Sequence, residues 1–423
     1  MNAFFLFVQG IFFYGLSIYI ITKKNERAIF YLPVLFFVDK IVDTPSPAVL
    51  FYGIVSLIIV LIASRNGFFF RNNIFALLLI VYFGILLTKA SDLEVIRPYI
   101  FSVTWLFILI PLIPEVYRKY SKEVVFQELS KASFLVLCLF IANSLVSTFY
   151  KFAPTEMYGI TSGILFGNLW AAAFNPLPIA LFLVFLKGIN ERKFLYIAVS
   201  IVTFLLIMLT LRRTVMALGA LGMIIAVLTL MTRQKAKMVF VLGGIVVLAG
   251  LFVYNSTDFF SEFKERVELR KLDERELTEE KRFIEYTLLY DDMFVYHAYS
   301  PWFGYELFNS AGNYGKGVLA ERSLHGDIPN IIHSSGLLGV TLYLLMIATA
   351  FFQSIRAAKH YQEKLIVLFC AITFAVYTVT GRYTEIASSL FLMLLLMQPL
   401  AAHESEVEME EEPETALLQK EIA

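Results

Sequence analysis

The chain has almost no cysteine, only Cys138 and Cys370 among 423 residues, each inside an apolar run. That excludes a disulfide framework and a cysteine-based metal site. Charge is scarce too: 17% of residues are Asp, Glu, Lys or Arg and 58% are hydrophobic, where soluble proteins carry about 25% and about 45–50%. A soluble enzyme is excluded on that balance. No GxxxxGK[ST] is present to cradle a nucleotide phosphate, no GxSxG to present a serine nucleophile, and no His/Cys cluster with zinc spacing. Neither ATP coupling nor a metal ligand set is therefore expected, and no cofactor is called for. The formal charge is zero, from 35 basic and 35 acidic residues, so nothing suggests a nucleic-acid partner. No tandem repeat is evident.

What the chain does have is long apolar runs, beginning near Phe4, Ala48, Ile74, Pro98, Ala132, Trp170, Phe194, Val215, Val239, Ile331, Leu365 and Ile386, with a shorter one near Phe30. At about 20 residues per crossing they predict an all-α polytopic membrane protein with about 12–13 transmembrane helices and membrane lipid around it. Helix is the form that satisfies backbone groups in lipid, and the alternation of a barrel is absent. The division that follows is residues 1–254 and 331–401 in the membrane, a loop over 255–330, and a tail over 402–423. The first 24 residues have no basic leader and no small-residue cleavage site, and read as a retained anchor.

The two signs of charge are segregated. The tail holds eight Glu and one Lys, and the 255–330 loop fifteen acidic and nine basic residues, so the spans and short loops carry the positive excess. Basic residues cluster at Lys23/Lys24/Arg27, Arg65/Arg71, Arg118/Lys119/Lys122, Lys187/Arg192/Lys193, Arg233/Lys235/Lys237 and Arg356/Lys359/Lys364. The positive-inside rule assigns these to the cytoplasm. Residues 39–47, 89–97, 151–170, 211–214, 255–330 and 381–385 then lie outside, and the acidic tail inside, solvated and disordered. The N-terminus is outside if the Phe30 segment spans and inside if it dips back.

Within the 255–330 loop, Phe283, Tyr286, Tyr290 and Phe294 recur at helical spacing in a charged amphipathic stretch. The following SPWFGYELFNSAGNYGKG, with Pro and four Gly, predicts an ordered, turn-rich loop.

Arg212 and Arg213 stand between two apolar runs at the outer surface, against the orientation bias. They either snorkel to headgroups or grip an anion, for which forked guanidinium donors match phosphate. All five histidines, His297, His325, His333, His360 and His403, fall in the last third of the chain. His325 sits just outside a span, and imidazole suits proton transfer at neutral pH; His333 and His297 read mainly as packing or surface polar residues. Arg97 opens one span and Arg382, with Glu385, separates the last two. Each marks topology or faces an outer polar cleft.

Four stretches, in order from Tyr158 to Leu345, resemble the O-antigen ligase and polymerase family of bacterial envelope glycan assembly. GILFGNLWAAAF from Gly163 is similar to the family's Gly-Thr-Phe-Gly-Asn element, with Leu169 and Trp170 where Pro and Asn are commoner; Arg213 stands at the position of its Ser-Arg, with Arg212 replacing Ser. Arg282 precedes Pro301-Trp302-Phe303-Gly304 as an arginine precedes the family's Pro-Leu-Phe-Gly turn, and His325 stands eleven residues before the first Gly of Gly336-Leu337-Leu338-Gly339. Gly326 follows His325 where Asn is usual, and the first half of the chain matches only in hydropathy.

The resemblance implies a fold like the C-type glycosyltransferases, with a large, partly helical periplasmic loop, in a bacterial inner membrane. It implies metal-independent, inverting transfer of a glycan from an undecaprenyl-diphosphate-linked donor to an acceptor glycan such as lipid A-core. Arg213 and Arg282 would bind the diphosphate and stabilise the leaving charge. His325 would be the base, Arg212, Arg97 and Arg382 would line the substrate path, and Asp327 would orient His325 or cap its loop. A polymerase, with a second lipid-linked repeat as acceptor, would use the same residues. A lipid-linked glycan flippase is the rival from another class, and transporters often carry the internal repeats missing here.

Overall fold

The structure, a computed structural model, describes residues 2–41, 48–150, 156–157, 160–161, 169, 171–210, 212–230, 281–319, 322–380 and 383–402. The first element of the resemblance at 163–168, the expected span near Val239, Arg382 and the acidic tail lie outside the described residues. Regular secondary structure among the described residues is helical apart from a two-residue pairing of Glu156–Met157 with Ile160–Thr161. In chain order the helices are α1 (Asn2–Tyr19), α2 (Leu32–Ile41), α3 (Ala48–Ala63), α4 (Ile74–Leu87), α5 (Leu93–Tyr117), α6 (Lys122–Tyr150), α7 (Pro176–Glu191), α8 (Phe194–Leu209) and α9 (Arg213–Thr229). Beyond them come α10 (Lys281–Tyr290), α11 (Asp327–Ala357), α12 (Tyr361–Thr380) and α13 (Ile386–Leu396).

Helices apolar on every side belong in the middle, and α7 and α13 are such helices. Every residue from Pro176 to Ile189 is buried, and so is all of α13 except Ser389. Around α7 pack α6, α8, α9 and α13; around α13 pack α2, α5 and α12. Four helices, α5, α6, α11 and α12, are long and apolar enough to cross a membrane, and further apolar helices of 10–17 residues accompany them. This makes the chain an all-α protein of membrane type. Fewer full-length crossings stand among the described residues than the apolar runs suggest, because most runs form helices of 10–17 residues and two change helix type. The first continues from α1 as a π turn over Ile20–Lys24, and the Phe30 run is 3-10 helix over Asn25–Tyr31 before α2 begins. The polar run Thr22 to Arg27 marks the place of the change, but hydropathy does not say which helix type follows it.

The basic clusters among the described residues share one face, where buried or half-buried carboxylates tie them together; Arg233, Lys235 and Lys237 lie outside the described residues. Glu115 accepts from Arg71 and Arg118, Glu128 from Lys24, Lys131 and the Tyr31 hydroxyl, and Glu26 from Lys119, which also reaches the Arg65 carbonyl. Lys122 pairs with Glu363, and Gln127 bridges to Glu191 at the end of α7. Ala402 exchanges backbone hydrogen bonds with Tyr120 and Lys122, so the tail departs from this same face. The segment from Asn25 to Ile41 starts here and ends at Lys40, within electrostatic reach of Glu385 and Tyr99 at the opposite end of the bundle. The Phe30 segment therefore crosses the bundle, and α1, which reaches the basic face at Lys24, begins away from it.

One break matters for the site. Gly336 has φ +65 inside α11, dividing it into Asp327–Ser335 and Leu337–Ala357. The second part measures about 31 Å at 1.5 Å per residue, the depth of a bilayer core. The turn at Pro301–Tyr305 plugs the break. The Leu337 and Leu338 N–H groups donate to the Pro301 and Trp302 carbonyls (2.8 and 3.3 Å), and the Tyr305 N–H donates to the His333 carbonyl (2.7 Å). Free ends of both half-helices are thereby satisfied. A Cβ on Gly336 would lie 2.3 Å from the Trp302 carbonyl, and one on Gly304 2.6 Å from the His333 oxygen.

Candidate functional site

Residues 281–319 and 322–335 form a small layer on the end of the bundle opposite the basic face, with a core of its own. Leu289 and Met293, on one side of α10 and the turn after it, pack with Tyr314, Leu324 and Ile332. Polar contacts fix the turns between them. Asp292 accepts the Gly315 N–H at 2.7 Å, Ser310 the Leu324 N–H at 3.1 Å, and Ser334 the Phe308 N–H at 3.1 Å. Glu306 accepts from the backbone and hydroxyl of Ser91, tying the layer to the turn between α4 and α5. The ordered loop takes its place here, and the predicted helix stands over Lys281–Tyr290 with its aromatic stripe, Phe283, Tyr286, Tyr290 and Phe294, turned outward and Glu285, Leu289 and Met293 turned in; the part of the predicted stretch before Lys281 lies outside the described residues.

At the centre of the layer stand three residues. Glu285 of α10 is fully buried, and its carboxylate accepts the His325 backbone N–H at 3.1 and 3.3 Å and the Arg322 Nη2 at 3.0 Å. Arg322 Nε–H donates to His325 Nδ1 at 3.0 Å, and Nδ1 also lies 3.5 Å from Glu285 Oε1. Burial alone would raise the Glu285 carboxyl; the His325 backbone N–H and the Arg322 guanidinium outweigh it and hold the carboxyl below its usual range. A third of the His325 side chain is exposed. With Nδ1 turned onto Glu285 and Arg322, the open part of the ring is its Nε2 edge.

Arg212 and Arg213 come to the same end of the bundle. Arg212 precedes α9 and sets its guanidinium 5.3 Å over the Phe174 ring, while Arg213 opens the helix with its side chain exposed. Next to Phe174, the Asn175 carbonyl accepts the Tyr377 hydroxyl of α12. One residue on, the Thr378 carbonyl lies 3.6 Å from where a Gly326 Cβ would be. This run of contacts leads from the arginine pair to the residue after His325. A helix N-terminus carrying two guanidinium groups favours an anion, and an imidazole at the same end of the bundle offers proton transfer.

The other expected residues fall as follows. Arg282 lies in the first turn of α10, three residues before Glu285. Asp327 is the first residue of α11, buried, and accepts the Tyr383 backbone N–H, with its Oδ1 lacking a partner among the described residues. Glu285 and Arg322, not Asp327, are the groups against the His325 ring. Arg97, exposed near the start of α5, belongs to a separate group with Asp39, Lys40 and Tyr52. The two groups are bridged by aromatic rings, Tyr99 against Phe308 and Phe308 against Tyr383. His333 is fully buried, its Nε2 3.1 Å from the Asn313 carbonyl between the rings of Tyr299 and Tyr305. It is a packing residue.

Sequence reasoning missed Glu285 and Arg322. Their signal was available, because Glu285 follows Arg282 by three helical positions and Arg322 precedes His325 by three. Both were absorbed into the charge of the loop. No group of three or more potential metal ligands occurs among the described residues. No family model matches the chain, and no curated protein matches it.

Proposed function

We propose that the chain is an O-antigen ligase-type glycosyltransferase, moving a glycan from undecaprenyl diphosphate to an acceptor sugar such as lipid A-core at the periplasmic face of a bacterial inner membrane. One observation carries the reading: the arginine pair at the start of α9 and the Glu285–Arg322–His325 cluster stand at the same end of the bundle, away from the basic face, with Arg212 linked towards the residue after His325 by way of Phe174, Asn175, Tyr377 and Thr378. Anion grip and proton acceptor are the two functions such a transfer needs from side chains.

In this scheme Arg213 and Arg282 hold the diphosphate. The acceptor oxygen attacks C1 from the opposite side, its proton passes to His325, and the C1–O bond breaks with its electron pair on the diphosphate. The anomeric centre inverts. Fixed cations act most strongly where leaving charge develops in a water-poor site. A polymerase remains the second reading, since a lipid-linked acceptor would meet the same residues. Transport is supported less, because the broken helix α11 is closed by its own loop instead of opening onto a cavity.

The test is transfer from purified undecaprenyl-diphosphate oligosaccharide in membranes containing EDTA, with lipid A-core or with donor alone. Wild type is expected to modify lipid A-core. His325→Ala and Arg213→Ala are expected to lose about a hundredfold or more in rate while inserting normally. A ladder from donor alone makes the protein a polymerase; equal rates in the variants, or donor crossing without transfer, overturn the enzyme reading.

A further inference from the structure

The hydrogen bond between Arg322 and His325 is in the wrong sense for a resting base. A guanidinium only donates. With Arg322 Nε–H on Nδ1 at 3.0 Å, Nδ1 holds a lone pair, and a neutral ring must then carry its proton on Nε2. The exposed edge of His325 therefore presents an N–H, which cannot accept a proton from an acceptor hydroxyl. Glu285 offers the opposite arrangement. Its Oε1 lies 3.5 Å from Nδ1, about half an ångström from hydrogen-bonding distance, and would accept Nδ1–H, leaving Nε2 with its lone pair outward. Glu285 is held in place independently of Arg322, by the His325 backbone N–H.

Arg322 is the movable member. A quarter of its side chain is exposed, whereas Glu285 is fully buried, and a guanidinium prefers the paired oxygens of a phosphate to a single imidazole nitrogen. We propose that Arg322 gates His325: with no donor bound it occupies Nδ1 and keeps the ring from acting as a base, and a bound diphosphate draws it off, so that Glu285 takes Nδ1–H and Nε2 becomes the base. This rests on the transferase reading and deepens it, making Arg322 the reader of the diphosphate and Glu285 the positioning residue.

The protons balance. In the switch the ring stays neutral: Nε2 gives its proton to water and Nδ1 takes one from water. During transfer the acceptor hydroxyl proton goes to Nε2, the new bond forms at C1, and the diphosphate leaves with the electron pair of the old one. When Arg322 returns to Nδ1 it requires a bare nitrogen there, so the ring loses the Nδ1 proton to water and the Nε2–H form is restored.

A merely structural bond from Arg322 to His325 would leave the tautomer unchanged by ligand. The experiment is nitrogen NMR of the full chain in lipid nanodiscs with 15N-labelled histidine, the His325 signals being assigned by their loss in His325→Gln. Without ligand the ring is expected to read as the Nε2–H tautomer, and with undecaprenyl diphosphate as the Nδ1–H tautomer. Arg322→Met is expected to read Nδ1–H without ligand. Should that variant fail to fold, Glu285→Gln, which keeps the bond to the His325 backbone, is expected to lower kcat about tenfold or more with donor KM unchanged. Inorganic pyrophosphate in a parallel arm separates the headgroup from the lipid. A switch there supports a gate that reads diphosphate alone, and a switch with the lipid only supports one that also needs the polyprenyl chain. An Nδ1–H ring without ligand, or no switch in either arm, overturns the gate. Transfer without a tautomer switch sinks the gate and leaves the transferase standing; a switch without transfer does the reverse.

Discussion

At the scale of single residues, the layer at the site's end of the bundle holds carboxylates shifted in both directions. The Glu285 carboxyl, buried but outweighed by its His325 and Arg322 donors, titrates lower folded than unfolded. Its contribution to stability is therefore present above about pH 4.3, the unfolded value, and is lost as pH falls through the folded one. Glu306 has the same sign, because the Ser91 backbone and hydroxyl and the Asn309 amide overcome its burial. Asp292 has the opposite sign. Burial raises it despite the Gly315 N–H, so its contribution is present at low pH and fades as pH rises through the folded value. Acidification from about pH 5 to about pH 3 is expected to expose the 281–335 layer to protease before the bundle loses helical circular dichroism. Glu285→Gln is expected to cost the layer about 1–3 kcal/mol at neutral pH and to flatten that acid step. A wild-type layer equally resistant at both pH values would contradict this. Of these residues the sequence marks His325 and Arg282 by type and place, but a buried carboxylate looks like any other charge until the fold supplies its donors.

At the scale of elements, the Pro301–Gly304 turn and the Gly336–Gly339 stretch, two separate motifs in the chain, are two sides of one contact. The turn was legible as a turn and α11 as a span; their mutual fit was not, because it is made by backbone groups that any sequence carries. Gly336→Ala puts a Cβ 2.3 Å from the Trp302 carbonyl at φ +65, and is expected to destabilise the protein by about 2–3 kcal/mol or more and to abolish transfer by shifting the half-helix that follows His325. Gly312→Ala is the control. Gly312 also has positive φ, +73, but nothing lies within 4 Å of its Cβ position, so the cost is expected to stay near 1 kcal/mol. Thermal unfolding of the two variants in the same lipid checks the pair, and equal melting temperatures would show that the plug bears no strain. The Phe30 segment is the other lesson at this scale. Its crossing is built from a 3-10 stretch followed by ten residues of α-helix, which no count of apolar residues at helical rise would add up correctly.

At the scale of the whole molecule, the basic clusters and the candidate site lie at opposite ends of the helical bundle, an arrangement that charge counting anticipates and that the Glu26, Glu115 and Glu128 clamps reinforce. Exposed Lys89, beside the turn held by Glu306, and exposed Lys359, at the turn between α11 and α12, mark the two ends. In a background with Cys138 and Cys370 replaced by alanine, Lys89→Cys is expected to react with an impermeant maleimide from outside intact cells and Lys359→Cys only in inverted vesicles. Labelling of both from one side would refute the orientation. The plug in α11 also fixes an order of events. Pro301 to Tyr305 precede α11 in the chain, so a ribosome delivers the stopper before the helix whose gap it fills, and the half-helices can meet their missing partners at the moment they enter the membrane.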